Sequence, residues 1–157
     1  MRRSWSRLNT DTTPAGIWVT NPDNYVTDNH VAGSDAYGIW FDFKPNPTGP
    51  SATTLICPIG TPLAEFNDNV AHSNGKYGFL LFQGHIPRTY PGLPLLTALL
   101  WADNPPVTAV YRNFVGYKNK RNGAIADRVG NVRWQNFKVA DNLRAGVEIT
   151  YSKYLYH

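Results

Sequence analysis

The phrase Gly16-Ile17-Trp18-Val19 returns as Gly38-Ile39-Trp40-Phe41, displaced by 22 residues. A recurrence at this period constrains the fold more than any other feature, because periods in the twenties belong to coils of chain stacked on one another. Asn29, after Asp28, stands nine residues ahead of Gly38, and Asn69, after Asp68, stands nine ahead of Gly78. Two looser copies follow, with Asn113 ten residues ahead of Gly123 and Asn136 ten ahead of Gly146.

A unit of this length holds no uninterrupted helical pattern. It holds short β-branched and aromatic runs (Ile17–Thr20, Tyr25–Val26, Ile39–Phe43) separated by Asn, Asp, Gly and Ser, which read as strand, turn, strand. Such units stack as a parallel β-solenoid with equivalent strands about 4.8 Å apart, so equivalent side chains pile into ladders. Asn29, Asn69, Asn113 and Asn136 are expected to form an asparagine ladder, each amide donating to one neighbour and accepting from the other. The recurring glycine suits a bend that requires a positive φ or a close backbone approach.

Coils are expected over 16–41, 64–82, 107–126 and 130–151, after an irregular lead-in at 1–15, so that 16–157 forms one domain. The expected interior contains Val19, Val26, Ile39, Phe66, Val70, Phe79, Ile125, Val139, Val147 and Ile149. Two inserts interrupt the coils. The first, 42–63, is rich in proline and glycine and reads as loop. The second, 83–106, contains Leu95, Leu96, Leu99 and Leu100 on one helical face, ended by Asn104-Pro105-Pro106, and predicts a short amphipathic helix. Both inserts leave after equivalent strands and should emerge as neighbours on one edge, where solenoids commonly bind partners. That places Lys44, His85, Arg88, Tyr90 and Trp101 in a candidate groove. Such aromatic, cationic and hydroxyl groups suit carbohydrate, and they also suit plain packing of the inserts.

Asp28 and Asp68 share a coil position. On adjacent coils they would share a proton, bind Ca²⁺, act as acid and base at a glycosidic bond, or simply be two solvated turn residues. His72, followed by Ser73, reads as a general base, a ligand, or a histidine hydrogen-bonded into the turn. His30, His85 and His157 show no metal-ligand spacing, so no metal or other cofactor is evident beyond that possible Ca²⁺. Cys57 is the sole cysteine, which precludes an intrachain disulfide. The net charge of +4 and the Lys118–Arg121 cluster favour an acidic polysaccharide or a solvated turn; nucleic acid is not expected. No apolar run approaches the roughly 20 residues of a membrane span. Four coils expose two ends, and open ends invite pairing, so the expected partners are the remainder of a larger protein or a second β-helix stacked end to end.

The stretches Asn21–Asn24, Asn29–Ser34, Gly38–Trp40, Pro47–Ser51 and Asn69–Asn74, in this order, resemble the β-helix segment of the cell-migration-inducing and transmembrane hyaluronidases and of fibrocystin-L. The resemblance runs from Gly16 to about Arg88 and departs at His30-Val31, where the family tends to Val-Ala. It implies an all-β fold, a right-handed parallel β-helix, and an extracellular or cell-surface location. Right-handedness also follows the crossover preference of parallel strands. For function it implies either a module that binds or positions a polysaccharide such as hyaluronan, or a purely structural solenoid. A third possibility is cleavage of a glycoside by Asp28 and Asp68. The glycine-rich G8 module associated with hyaluronan cleavage in that family has no counterpart among these residues.

Overall fold

The computed structural model describes residues 12–82, 84–91 and 104–151. Over these residues the chain is a parallel β-helix in which each coil gives one strand to each of three faces. The first coil supplies β1 (Ala15–Val19), β2 (Tyr25–Thr27) and β3 (His30–Ala32), and the second supplies β4 (Tyr37–Asp42), β5 (Glu65–Asn67) and β6 (Val70–His72). The third supplies β7 (Tyr77–Phe82), β8 (Ala109–Arg112) and β9 (Val115–Tyr117). The fourth supplies β10 (Asn122–Asp127), β11 (Val132–Gln135) and β12 (Lys138–Ala140), and β13 (Ala145–Thr150) opens a further rung. The first face is a five-stranded sheet in the order β1-β4-β7-β10-β13. The second face comprises the pairs β2-β5 and β8-β11, and the third is the four-stranded order β3-β6-β9-β12. Every pairing of these strands is parallel, and the register aligns the repeats: Ile17 with Ile39, Ile39 with Phe79, Phe79 with Ala124, Ala124 with Val147.

Short strands can turn this sharply because their corner residues adopt the left-handed conformation. Asp28, Asp68, Asn113 and Asn136 have φ of 52–56° at the corner between the second and third faces. Gly33, Ser73, Lys118 and Asp141, with φ of 52–74°, are left-handed at the corner that leads back to the first face. Asp and Asn tolerate this region better than most residues because their short polar side chains bond locally.

The corner shows why the expected ladder divides. Asn29 Nδ2 donates to Asn69 Oδ1 at 3.0 Å, and Asn69 Nδ2 donates to the Val26 carbonyl at 2.7 Å. Asn113 and Asn136 belong elsewhere: Val70 pairs with Val115 and Val115 with Lys138, so these two residues occupy the position of Asp28 and Asp68. Asn136 donates to Asn113 at 2.7 Å and Asn113 to Asn67 at 2.9 Å, a separate, outer ladder. In the third and fourth coils Phe114 and Phe137 take the position of Asn69, and their rings lie 5.2 Å apart. A third and longer ladder runs beneath the corner into the first face. Asn74 Nδ2 donates to Asn119 Oδ1 at 2.9 Å, Asn119 Nδ2 to Asn142 Oδ1 at 3.0 Å, and Asn142 Nδ2 to the Gly116 carbonyl at 3.0 Å.

Gly38, Gly78 and Gly123 stand beside this amide ladder. A Cβ on Gly78 would lie 2.5 Å from the Gly123 carbonyl oxygen and 2.9 Å from Asn119 Nδ2. Close approach, and not a positive φ, is the reason for glycine in this column.

The interior is aromatic. Phe41, Phe66, Phe79, Tyr111 and Phe114 are fully buried, and Phe66 contacts Phe79 with centroids 4.7 Å apart. Val26, Ile39, Phe66 and Phe79 lie in this core as expected, with Val19 and Val139 packed partly buried against it. Alternation along the strand corrects the other assignments. Ala71 is the buried residue of β6 and Val70 its half-buried neighbour. Ile125 lies between the inward Ala124 and Ala126 and faces outward. Val147 and Ile149 fall in the inward columns, yet are 43% and 57% exposed because β13 is the last described rung. They line an apolar recess of about 410 Å³ with Val132, Trp134 and Phe137.

The insert bases are joined to one another. The Ile86 amide donates to the Ile59 carbonyl and the Arg88 amide to the Gly60 carbonyl, each at 2.8 Å. The helix expected around Leu95–Leu100 lies outside the described residues.

Candidate functional site

The first face presents its outer side as a groove. Outward positions on its strands fall in register as Trp18, Trp40, Leu80, Ile125 and Glu148. Trp18 stacks on Trp40 with centroids 5.3 Å apart and planes 15° apart, and Trp18 remains 59% exposed. Beside them Tyr37 stacks on Tyr77 at 5.7 Å with planes 2° apart, and Trp40 meets the Tyr37 ring edge-on at 5.2 Å. Lys76 Nζ sits 5.5 Å from the Tyr37 ring centroid. Strand stacking creates this surface: a one-rung step places like aromatic side chains face to face.

Two recesses meet here. One of about 650 Å³ is lined by Tyr37, Trp40, Tyr77, Leu80, Asp127 and Arg128 among others, and one of about 410 Å³ by Trp18, Thr20 and the first insert's Pro47, Thr48 and Ile56. Asp42 and Lys44 line both. Asp42 is 4% exposed, and its Oδ1 has no hydrogen-bond partner among the described residues. Burial raises its carboxyl above the ordinary range, opposed by the Lys44 charge and a hydrogen bond from Trp18. Burial also raises the Tyr37 phenol, reinforced by Tyr77 and opposed by Arg121. Asp127 differs from Asp42: it accepts a hydrogen bond from the Thr150 hydroxyl at 2.9 Å and faces Arg128 Nε at 3.4 Å.

Of the residues expected in an insert groove, Lys44 lines the recesses. His85 lies in the core. Its Nε2 is 2.9 Å from the Thr61 carbonyl, which can only accept, so Nε2 carries the proton and Nδ1 accepts from the Tyr111 hydroxyl at 2.8 Å. Burial lowers the His85 pKa to about 4, against the smaller opposing effect of the Thr61 hydrogen bond. Arg88 is buried and donates to the Asn104 carbonyl at 3.4 Å. Tyr90 is exposed, with its backbone amide and carbonyl both held by the Asn104 side chain at 2.9 and 3.1 Å. Arg88 and Asn104 thus tie the base of the second insert together. Trp101 lies outside the described residues.

Asp28 and Asp68 are one rung apart, both exposed, on the corner between the second and third faces and away from the groove. His72 projects from the third face between the His30 and Tyr117 rings, at 5.0 and 4.6 Å, with Nδ1 3.0 Å from Ser73 Oγ. The structure does not bring His72 together with the two aspartates and the groove. No group of three His, Cys, Asp or Glu side chains among the described residues is arranged to hold a metal.

Trp18, Trp40, Tyr37, Tyr77, Asp42 and Asp127 were not selected by sequence reasoning. The signal was present: in a strand whose Ile39 and Phe41 point inward, Trp40 and Asp42 must point outward, and Trp18 repeats Trp40 one coil away.

Residues 2–79 match a family described as the CEMIP beta-helix. The chain is 33% identical over 148 residues to fibrocystin-L of Homo sapiens, covering 94% of this chain and 3% of that protein. It is 32% identical to the human cell surface hyaluronidase CEMIP2, with 87% of this chain and 11% of that protein covered. It is 33% identical to the human cell migration-inducing and hyaluronan-binding protein, with 80% and 10% covered. The chain therefore spans a small fraction of the length of these relatives. Among the described residues no helix is long and apolar enough to cross a membrane.

Proposed function

Because this chain belongs to the CEMIP β-helix family, we propose that it is the polysaccharide-binding module of a cell-surface or extracellular protein and holds its ligand along the outer side of the five-stranded sheet. The observation that carries this reading is the Trp18–Trp40 stack, continued by Tyr37 and Tyr77. Pyranose rings present apolar C–H faces that pack on aromatic rings, with hydroxyls at the rim to meet polar side chains. Lys44 and Arg128 offer cations at the same groove, and the net charge of +4 favours an acidic chain. Relatives named for hyaluronan binding and hyaluronidase activity make hyaluronan the first ligand to test.

The reading requires no catalysis by this chain. The apolar recess lined by Val147 and Ile149 among the described residues suits a further coil or a second copy stacked on β13.

The test is calorimetric titration with hyaluronan oligosaccharides and a neutral glucan. Trp40→Ala should weaken binding by roughly tenfold or more, from lost stacking and buried area. Equal affinity of Trp40→Ala and the natural sequence would remove the groove, and no binding at all would favour the purely structural solenoid.

A further inference from the structure

Trp40 and Asp42 are two residues apart on β4 and project from the same side of the sheet, with Cα atoms roughly 7 Å apart. Trp40 Nε1 and Asp42 Oδ1 are both buried polar atoms without a hydrogen-bond partner among the described residues. One is a donor only and the other an acceptor, and both residues line the larger recess. Buried polar groups are ordinarily satisfied, and a donor and an acceptor without partners on two residues that line one groove invite a ligand that supplies both. Aliphatic hydroxyls do so, because each donates one hydrogen bond and accepts others.

We propose that Trp40 and Asp42 form a hydroxyl-recognition subsite that takes an uncharged sugar ring within the bound polysaccharide, the ring hydroxyls donating to Asp42 Oδ1 and accepting from Trp40 Nε1. This rests on the polysaccharide-binding reading and names the sugar class at its centre. A uronate seated there would bring its carboxylate against that of Asp42, and the cations Lys44 and Arg128, which line the same recess, are better placed to meet acidic groups on the flanking sugars. Burial raises the Asp42 carboxyl, the Lys44 charge and the Trp18 hydrogen bond oppose it, and Oδ1 stays without a partner among the described residues.

The experiment titrates hyaluronan oligosaccharides, and separately a fully uronic oligosaccharide, into the natural sequence, Asp42→Asn, Trp40→Phe and Trp40→Ala, with circular dichroism confirming the fold of each. A hydrogen bond to a charged acceptor is worth enough that Asp42→Asn should weaken hyaluronan binding roughly tenfold or more. Trp40→Phe, which keeps a ring and removes the donor, should weaken it by about fivefold. The fully uronic chain should bind the natural sequence more weakly than hyaluronan does. If Trp40→Ala loses binding while Asp42→Asn and Trp40→Phe bind within twofold of the natural sequence, the subsite is overturned and the groove stands. If the natural sequence binds neither chain, both fall together.

Discussion

Replacing Asn119 by alanine should be among the most damaging single changes in the molecule. Asn119 is 1% exposed and sits mid-ladder. Its Oδ1 accepts from the Asn74 amide at 3.2 Å and from Asn74 Nδ2 at 2.9 Å, and its Nδ2 donates to the Ala71 carbonyl at 3.3 Å and to Asn142 Oδ1 at 3.0 Å. Truncation strands both Asn74 donors, and Asn74 is itself fully buried. Asn142 Oδ1 keeps a partner, because the Asn119 backbone amide also reaches it at 3.1 Å. Two stranded buried donors at about 1–3 kcal/mol each give a loss of about 2–6 kcal/mol. For a domain of this size that corresponds to a fall in melting temperature of roughly 5–20 °C. The matched comparison is Asn142→Ala on the last described rung, half-buried, which strands one Asn119 donor, its backbone amide, while Asn119 Nδ2 keeps the Ala71 carbonyl, so the loss should be about half as large, about 1–3 kcal/mol. Urea denaturation of both variants at pH 7 measures the difference. Equal losses at the two positions, or a loss below about 0.5 kcal/mol for Asn119→Ala, would refute the idea that the amide ladder holds the coils together.

Gly78→Ala should cost about 1–3 kcal/mol or more, because the new methyl meets the Gly123 carbonyl at 2.5 Å and only separation of the rungs relieves it; a melting temperature equal to that of the natural sequence would contradict this. Burial holds the folded pKa of His85 at about 4, below its ordinary value of 6.5, so between these values the unfolded chain binds more protons. Its contribution is therefore complete above pH 6.5 and is lost as pH falls toward 4, about 3 kcal/mol in all. Urea stability measured from pH 7 to pH 4.5 should fall about 2 kcal/mol further in the natural sequence than in His85→Gln, and parallel profiles would show that the buried imidazole is not the cause.

The fold was legible because stacking requires repetition, and the Gly-Ile-Trp phrase repeats almost unchanged in the first two coils. Ladder membership was harder to read. Asn29 and Asn69 stand nine residues before their glycines, whereas Asn113 and Asn136 stand ten before theirs, the spacing of Asp28 and Asp68. One residue of offset moves a side chain to the other side of a strand, so the difference decided which asparagines stack. The longest ladder carried its own mark, since Ser34, Asn74, Asn119 and Asn142 each stand four residues before a glycine of the column. The groove was obscured for a different reason. The second insert carries His85 and Arg88, but burial of an imidazole between Tyr111 and Thr61, and of a guanidinium against Asn104, depends on contacts between segments that no local pattern reveals. Val147 and Ile149 had the right orientation for a core; their exposure reflects their place on the last described rung.

The most direct test of the central claim is a two-dimensional NMR titration that follows the five tryptophan indole N–H signals as hyaluronan oligosaccharides are added. Binding along the outer side of the first sheet predicts that the Trp18 and Trp40 signals shift together, saturably, while that of Trp134, stacked on Phe137 away from that sheet, stays in place. Binding that leaves Trp18 and Trp40 unmoved, or shifts Trp101 alone, would contradict the account and return the site to the second insert.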